Sequence, residues 1–159
     1  MTGGERKAQA ELYRDAATER AVCARELYDG GWYVDANYLA GVAVECMLRA
    51  YRVMIDPEFD SRHDIGKLCK MAKFTDVVPP TDNDKVNAAL GEVVALWSNN
   101  HRYLPSYALK DQWIKRNLHR HGRHWIKGDF VKEQTRRLIN AAFFIVSVGE
   151  AQWKTSFEN

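Results

Sequence analysis

Apolar residues recur three and four positions apart through most of this chain, and no run of alternating β-branched residues interrupts them. A chain patterned in this way must bury one face of each of several helices. Only four prolines stand among its 159 residues, so the helices can be long. A chain of this length folds as one domain. With 46% hydrophobic and 28% charged residues, it has apolar surface for a core and charge for a solvated exterior. The expected architecture is an all-α, up-and-down bundle of five or six helices over residues 1–159, with 1–7 a flexible lead-in.

The first helix is predicted over about Ala8 to Tyr28, where Tyr13, Ala17, Ala21, Ala24 and Tyr28 form a stripe that stops at Gly30-Gly31. The second, about Val34 to Ile55, places Leu39, Val42, Cys46, Met47, Ala50 and Met54 on one side, with Pro57 beyond its end. Ser61 to Asp64 has the spacing of a capping box and opens a short helix carrying Ile65, Leu68 and Met71. Thr81 to Asp84 repeats that spacing before Val86, Leu90, Val93 and Trp97, a helix ending near Asn99-Asn100. A shorter helix is predicted from Ser106 to about His119, after which Gly122 and Gly128 make the chain irregular. Asp129 caps the last helix, which runs through Trp153 and is apolar nearly all round from Leu138 to Val148, as the centre of a bundle would be. Residues 101–128 are then an elaboration before that helix.

Several function classes fall away. The N-terminus lacks the apolar run of a signal peptide, and Leu138 to Val148 is too short to cross a bilayer, so the expectation is a cytoplasmic chain without membrane contact. Cys23, Cys46 and Cys69 show no C-x-x-C spacing and read as reduced, structural thiols. Gly-rich phosphate loops, a G-x-S-x-G elbow and H-E-x-x-H are absent. His119, His121 and His124 lie close in sequence but lack a companion cysteine pair or a fourth ligand, so neither a metal nor a cofactor is expected.

The net charge of +2 is unevenly spread. Lys110, Lys115, Arg116, Arg120, Arg123 and Lys127 face one acid, Asp111, within a single segment. That segment carries roughly +5, and the rest of the chain roughly −3. It is either a solvated basic face or a surface for a polyanion.

The stretch Tyr38-Leu39-Ala40-Gly41-Val42-Ala43-Val44-Glu45-Cys46-Met47-Leu48-Arg49-Ala50 is followed by His63-Asp64-Ile65-Gly66-Lys67-Leu68, then by Trp97 and by Arg102-Tyr103. Taken alone, Glu45 and Arg49 are an i,i+4 helix pair, and His63-Asp64 is a helix start. In this order, over about Ala8 to Trp153, they resemble the HEPN family. The resemblance implies a helical bundle that forms a homodimer and works on RNA or nucleotides. Many members are metal-independent ribonucleases of toxin and defence systems with an R-x(4 to 6)-H motif, and Arg116-Asn117-Leu118-His119-Arg120-His121 fits it. On that reading Arg116 and His121 are catalytic and Asn117 positions. In nuclease members the motif tends to lie close to the start of the final helix, whereas here Gly122 to Gly128 intervenes. Arg102-Tyr103 resembles the corresponding spot in members without the catalytic pair. The alternative is therefore a non-catalytic module that binds a nucleotide, an RNA or a nucleotidyltransferase-type antitoxin partner.

The residues themselves suit RNA chemistry. An imidazole can take or give a proton near neutral pH, and a guanidinium can offer parallel hydrogen bonds to phosphate oxygens. Lys115, Arg120, Arg123, His124 and Lys127 can neutralise phosphates, while Trp113, Trp125 and Tyr107 can stack on unpaired bases. A five-residue step on a helix turns a side chain by about 140°, so Arg116 and His121 meet only if the helix ends between them or a second chain completes the site.

Overall fold

The structure is a computed structural model, and it describes residues 1–56, 58 and 62–158. It is all-helical apart from one short hairpin, with α1 (Gly3–Asp29), α2 (Tyr33–Ile55), α3 (Ile65–Met71), α4 (Phe74–Val77), α5 (Pro80–Leu96) and a 3-10 turn (Asn99–Tyr103). There follow α6 (Ser106–Lys115), β1 (Arg120–His121), β2 (His124–Trp125) and α7 (Phe130–Phe157). Among the described residues no helix is long and apolar enough to cross a membrane.

The first helix begins earlier than expected because Thr2 and Glu5 form a reciprocal capping box, Thr2 Oγ1 accepting from the Glu5 amide at 3.2 Å and Glu5 Oε2 from the Thr2 amide at 2.6 Å. The expected flexible lead-in is thus mostly helix. α1 buries Ala10, Ala17, Ala21 and Ala24, and small side chains on that stripe let α2 approach closely. At Gly31, φ is +84°, and the amides of Gly31 and Trp32 close back on Tyr28 and Leu27, a Schellman turn that reverses the chain into α2.

α2 is the helix most surrounded by others: α1, α3, α6, α7 and the 3-10 turn all touch it. It therefore buries Val34, Ala40, Ala43, Val44, Met47, Leu48, Ala50 and Tyr51. Of the predicted stripe, Met47 and Ala50 are fully buried, whereas Leu39, Val42, Cys46 and Met54 are partly buried against the core. α7 is the second central element and packs on α1, α2 and α5. Burial pushes the Cys46 thiol up and that of Cys69 to about 11, which disfavours the reactive thiolate.

α3 starts later than the expected Ser61-to-Asp64 capping box implies: Asp64 is itself the N-cap, its Oδ1 accepting from the Lys67 amide at 2.8 Å, while Ser61 lies outside the described residues. The second expected capping box is corrected. Pro80 is already the first residue of α5, and Thr81 to Asp84 lie inside its first turn, because a proline at that position gives up only an amide that had no helical partner. α5 ends at Leu96, and Trp97 swings onto α2, its indole N–H donating to the Tyr38 carbonyl at 3.0 Å.

That swing requires Gly41. A Cβ there would lie 2.0 Å from the Trp97 ring, whose base is fixed by the backbone and cannot withdraw. Gly41→Ala would gain about 1 kcal/mol in helix propensity, but expelling the indole outweighs it, for an expected net loss of about 2 kcal/mol. Gly149→Ala meets only Met47, a flexible side chain, and should cost less. Denaturant midpoints of the two variants check the order.

Candidate nucleic-acid interface

The end of α6 decides where the motif residues go. Arg116 is its C-cap, Asn117 sits at φ +58°, the Asn117 amide donates to the Ile114 carbonyl at 3.0 Å and the Leu118 amide to the Trp113 carbonyl at 2.8 Å. This is a Schellman turn with asparagine in the left-handed position, the residue after glycine best suited to it. Asn117 is thereby accounted for by the backbone. The expected continuation of this helix to His119 is corrected for the same reason.

The guanidinium of Arg116 donates to the Ala95 carbonyl at 2.8 Å, capping the C-terminal end of α5. His121, on β1, instead acts on Glu133 in the first turn of α7. The Glu133 carboxyl is held below its ordinary range first by its hydrogen bond from Arg136, with Arg137 and His121 adding to it. The helix does end at Arg116, yet among the described residues no hydrogen bond or ion pair joins Arg116 to His121.

Trp113, expected to stack on bases, is a correction of another kind. It is 0% exposed, lies one helical turn after the equally buried Leu109, and packs edge-on to His101 with ring centroids 6.4 Å apart. Its place on the apolar face of α6 makes it core.

Trp125 has the opposite fate. β1 and β2 pair antiparallel, Arg120 opposite Trp125 and His121 opposite His124, around Gly122 and Arg123. Gly122, at φ +61°, takes the first central position of the turn, the type II′ arrangement. Because Arg120 and Trp125 share a face, the guanidinium lies 4.1 Å from the indole centroid, and His119 stacks on the same indole at 4.8 Å. Trp125 is nevertheless 64% exposed. The hairpin is tied to the bundle by Gln134 of α7, itself buried, whose Nε2 donates to the Leu118 carbonyl at 2.7 Å.

Around this indole Arg120, His121, Arg123, His124 and Lys127 are all exposed, as are Lys110, Lys115 and Arg116 on α6 and its cap. Arg102 and Tyr103 are exposed too, with the guanidinium 4.6 Å from the ring centroid. Tyr107 and Lys110 line a cavity of about 460 Å³ that reaches Phe130 at the start of α7. Among the described residues no group of three His, Cys, Asp or Glu side chains is placed to hold a metal ion.

Two further polar groups escape a reading by sequence spacing. His101 is buried, with Nδ1 2.7 Å from Asn37 Oδ1, while Asn37 Nδ2 reaches the Leu96 carbonyl at 3.4 Å. Burial, with Arg116 nearby, holds its imidazole down to about 4. Two turns further along α2, Glu45 accepts from Arg49 at 2.9 Å, so the expected i,i+4 pair forms, and it also meets His63 Nδ1 at 2.8 Å.

No family model, no curated protein and no solved structure matches the chain.

Proposed function

We propose that this chain is a HEPN-like module that binds single-stranded RNA through the β1–β2 hairpin and does not cut it. The observation that carries the reading is Trp125, a large indole left in solvent beside a stacked guanidinium and ringed by exposed cations. An exposed tryptophan is apolar surface that a base can cover, worth about 1–3 kcal/mol for each stacked base. The exposed cations of the hairpin can neutralise backbone phosphates, and Tyr107 offers a second stacking face near Lys110.

Binding is favoured over cleavage because the Arg116 guanidinium is engaged with a carbonyl and Asn117 serves the helix end. The choice of RNA, and of a homodimer as the working form, rests on the resemblance of Tyr38 to Ala50, His63-Asp64 and Arg102-Tyr103 to the family. A nucleotidyltransferase-type partner belongs to the same resemblance.

The test is fluorescence anisotropy with a mixed single-stranded RNA and the DNA of the same sequence. Trp125→Ala should weaken RNA binding about tenfold, corresponding to roughly 1.4 kcal/mol. Replacing Arg120, Arg123 and Lys127 together by alanine should flatten the slope of log affinity against log salt by about 2, since each phosphate contact on a single strand contributes about 0.7. Affinity that ignores salt would end the proposal. Cleavage of the RNA in chelator, lost in Arg116→Ala or His121→Ala, would replace binding by catalysis.

A further inference from the structure

A second site lies away from the hairpin. Between the start of α3, the end of α5 and the 3-10 turn is an open cavity of about 390 Å³, lined by His63, Val94, Trp97, Ser98, Asn99 and Asn100 among others. That volume is in the range of small-molecule sites, roughly 300–1,000 Å³. No residue of the hairpin or of α6 reaches it.

His63 is held in this wall from behind. Its Nδ1 lies 2.8 and 3.0 Å from the two carboxylate oxygens of Glu45, and that side chain, 7% exposed, is also paired with Arg49. With Nδ1–H donating to the carboxylate, the ring's other nitrogen, Nε2, is left for a ligand, and the ring cannot turn without breaking a buried ion contact. Arg62 and His63 take φ values of +47° and +71°, in the left-handed region that side chains disfavour. Two successive residues stay there only when their surroundings insist, and the bond to Glu45 is such a constraint. Sites that need one ring in one pose are built in this way.

The opposite wall supplies uncharged hydrogen-bonding groups. Ser98, Asn99 and Asn100 bring a hydroxyl and two carboxamides, and Trp97 is pinned by Tyr38 and Gly41. Asp64, the one acid in the lining among the described residues, already accepts from the Lys67 amide. We propose that this cavity binds a small molecule through its oxyanion, a carboxylate or a phosphate, held by His63 Nε2–H and the carboxamides of Asn99 and Asn100. Glu45 is a positioning residue that fixes the ring.

Among the described residues, the charged groups around His63 are Glu45 and Arg49 from α2 and Arg62 and Asp64 from its own segment. The wall from α5 and the 3-10 turn presents Val94, Trp97, Ser98, Asn99 and Asn100, none of which titrates.

The probes are inorganic phosphate and acetate, titrated separately while the backbone and side-chain amide NMR signals of Ser98 to Asn100 are followed. Saturable movement with one of the two is expected, with a dissociation constant of about 1 mM or tighter, and which anion acts distinguishes a phosphate from a carboxylate ligand. His63→Asn, chosen because asparagine tolerates positive φ, should abolish the movement. Asn100→Ala should weaken binding about fivefold, and Glu45→Gln, which loosens the hold on the His63 ring, should weaken it similarly. Trp125→Ala, which reports on the RNA surface, should leave it unchanged. Signals that move linearly with both anions, or equally in wild type and His63→Asn, would overturn the site whatever the hairpin does with RNA.

Discussion

Trp113→Ala is expected to lower stability by about 4 kcal/mol, whereas Trp125→Ala should change it by less than about 0.5 kcal/mol. The two tryptophans lie in one basic segment and are alike in sequence context. They differ in phase. Trp113 follows Leu109 by four residues on α6, and both are 0% exposed, so truncation leaves a ring-sized void against His101 at the foot of the hairpin. Its indole N–H is buried and, among the described residues, has no hydrogen-bond partner. Removing that donor recovers part of an existing penalty of about 1–3 kcal/mol. Trp113→Phe keeps most of the volume and sheds the orphan, and should cost about 1 kcal/mol or less. For a chain of this length 4 kcal/mol corresponds to a fall of about 12 °C in Tm. Thermal unfolding of the three variants checks the order, and a Trp113→Ala protein melting with wild type would show that this ring is not core.

The same contrast explains how much could be read before folding. Helix existence followed from periodicity, and the cap at Asp129 from local chemistry, its side chain accepting from the Lys132 amide at 3.1 Å. Thr2 and Glu5 carried an equally local signal that the glycines between them obscured. Thr81 to Asp84 misled because a proline beside a capping pattern is itself a helix start. Leu109 and Trp113 at i,i+4 were legible as one buried face. Asn117 was legible as a left-handed helix stop, a reading that competes with its place in R-N-x-x-x-H.

The remainder depended on tertiary contact. β1 and β2 hold two residues each, too few for alternation to register, although Gly122 marked the turn. Glu45 and His63 are 18 residues apart, and the bond between them exists only because α3 returns to α2. His101 and Asn37 are 64 residues apart, a pair that periodicity could not see. Chemistry at a distance was therefore where the candidate site grew beyond its sequence outline.

That last pair yields an acid sensitivity with a defined window. In the fold His101 is 2% exposed, and its neutral ring donates from Nδ1 to Asn37 Oδ1. A second proton would place a cation in the core beside Arg116, and burial first, then that arginine, hold the imidazole down from 6.5 to about 4. Between those values the unfolded chain binds a proton that the folded one refuses, so stability falls as the pH falls. It is complete above 6.5 and, by the time the pH reaches about 4, is reduced by about 3 kcal/mol. The lowered Glu133 carboxyl works in the same direction, but only below its ordinary 4.5, and its exposure to solvent screens it. His101→Phe cannot take the proton. It forfeits the bond to Asn37 at every pH, costing about 1–3 kcal/mol, yet its stability should be nearly flat across the window. Denaturant unfolding of both proteins from above pH 6.5 down to about pH 4 measures the difference in slope, and parallel curves would mean that the ring is not held neutral in the core.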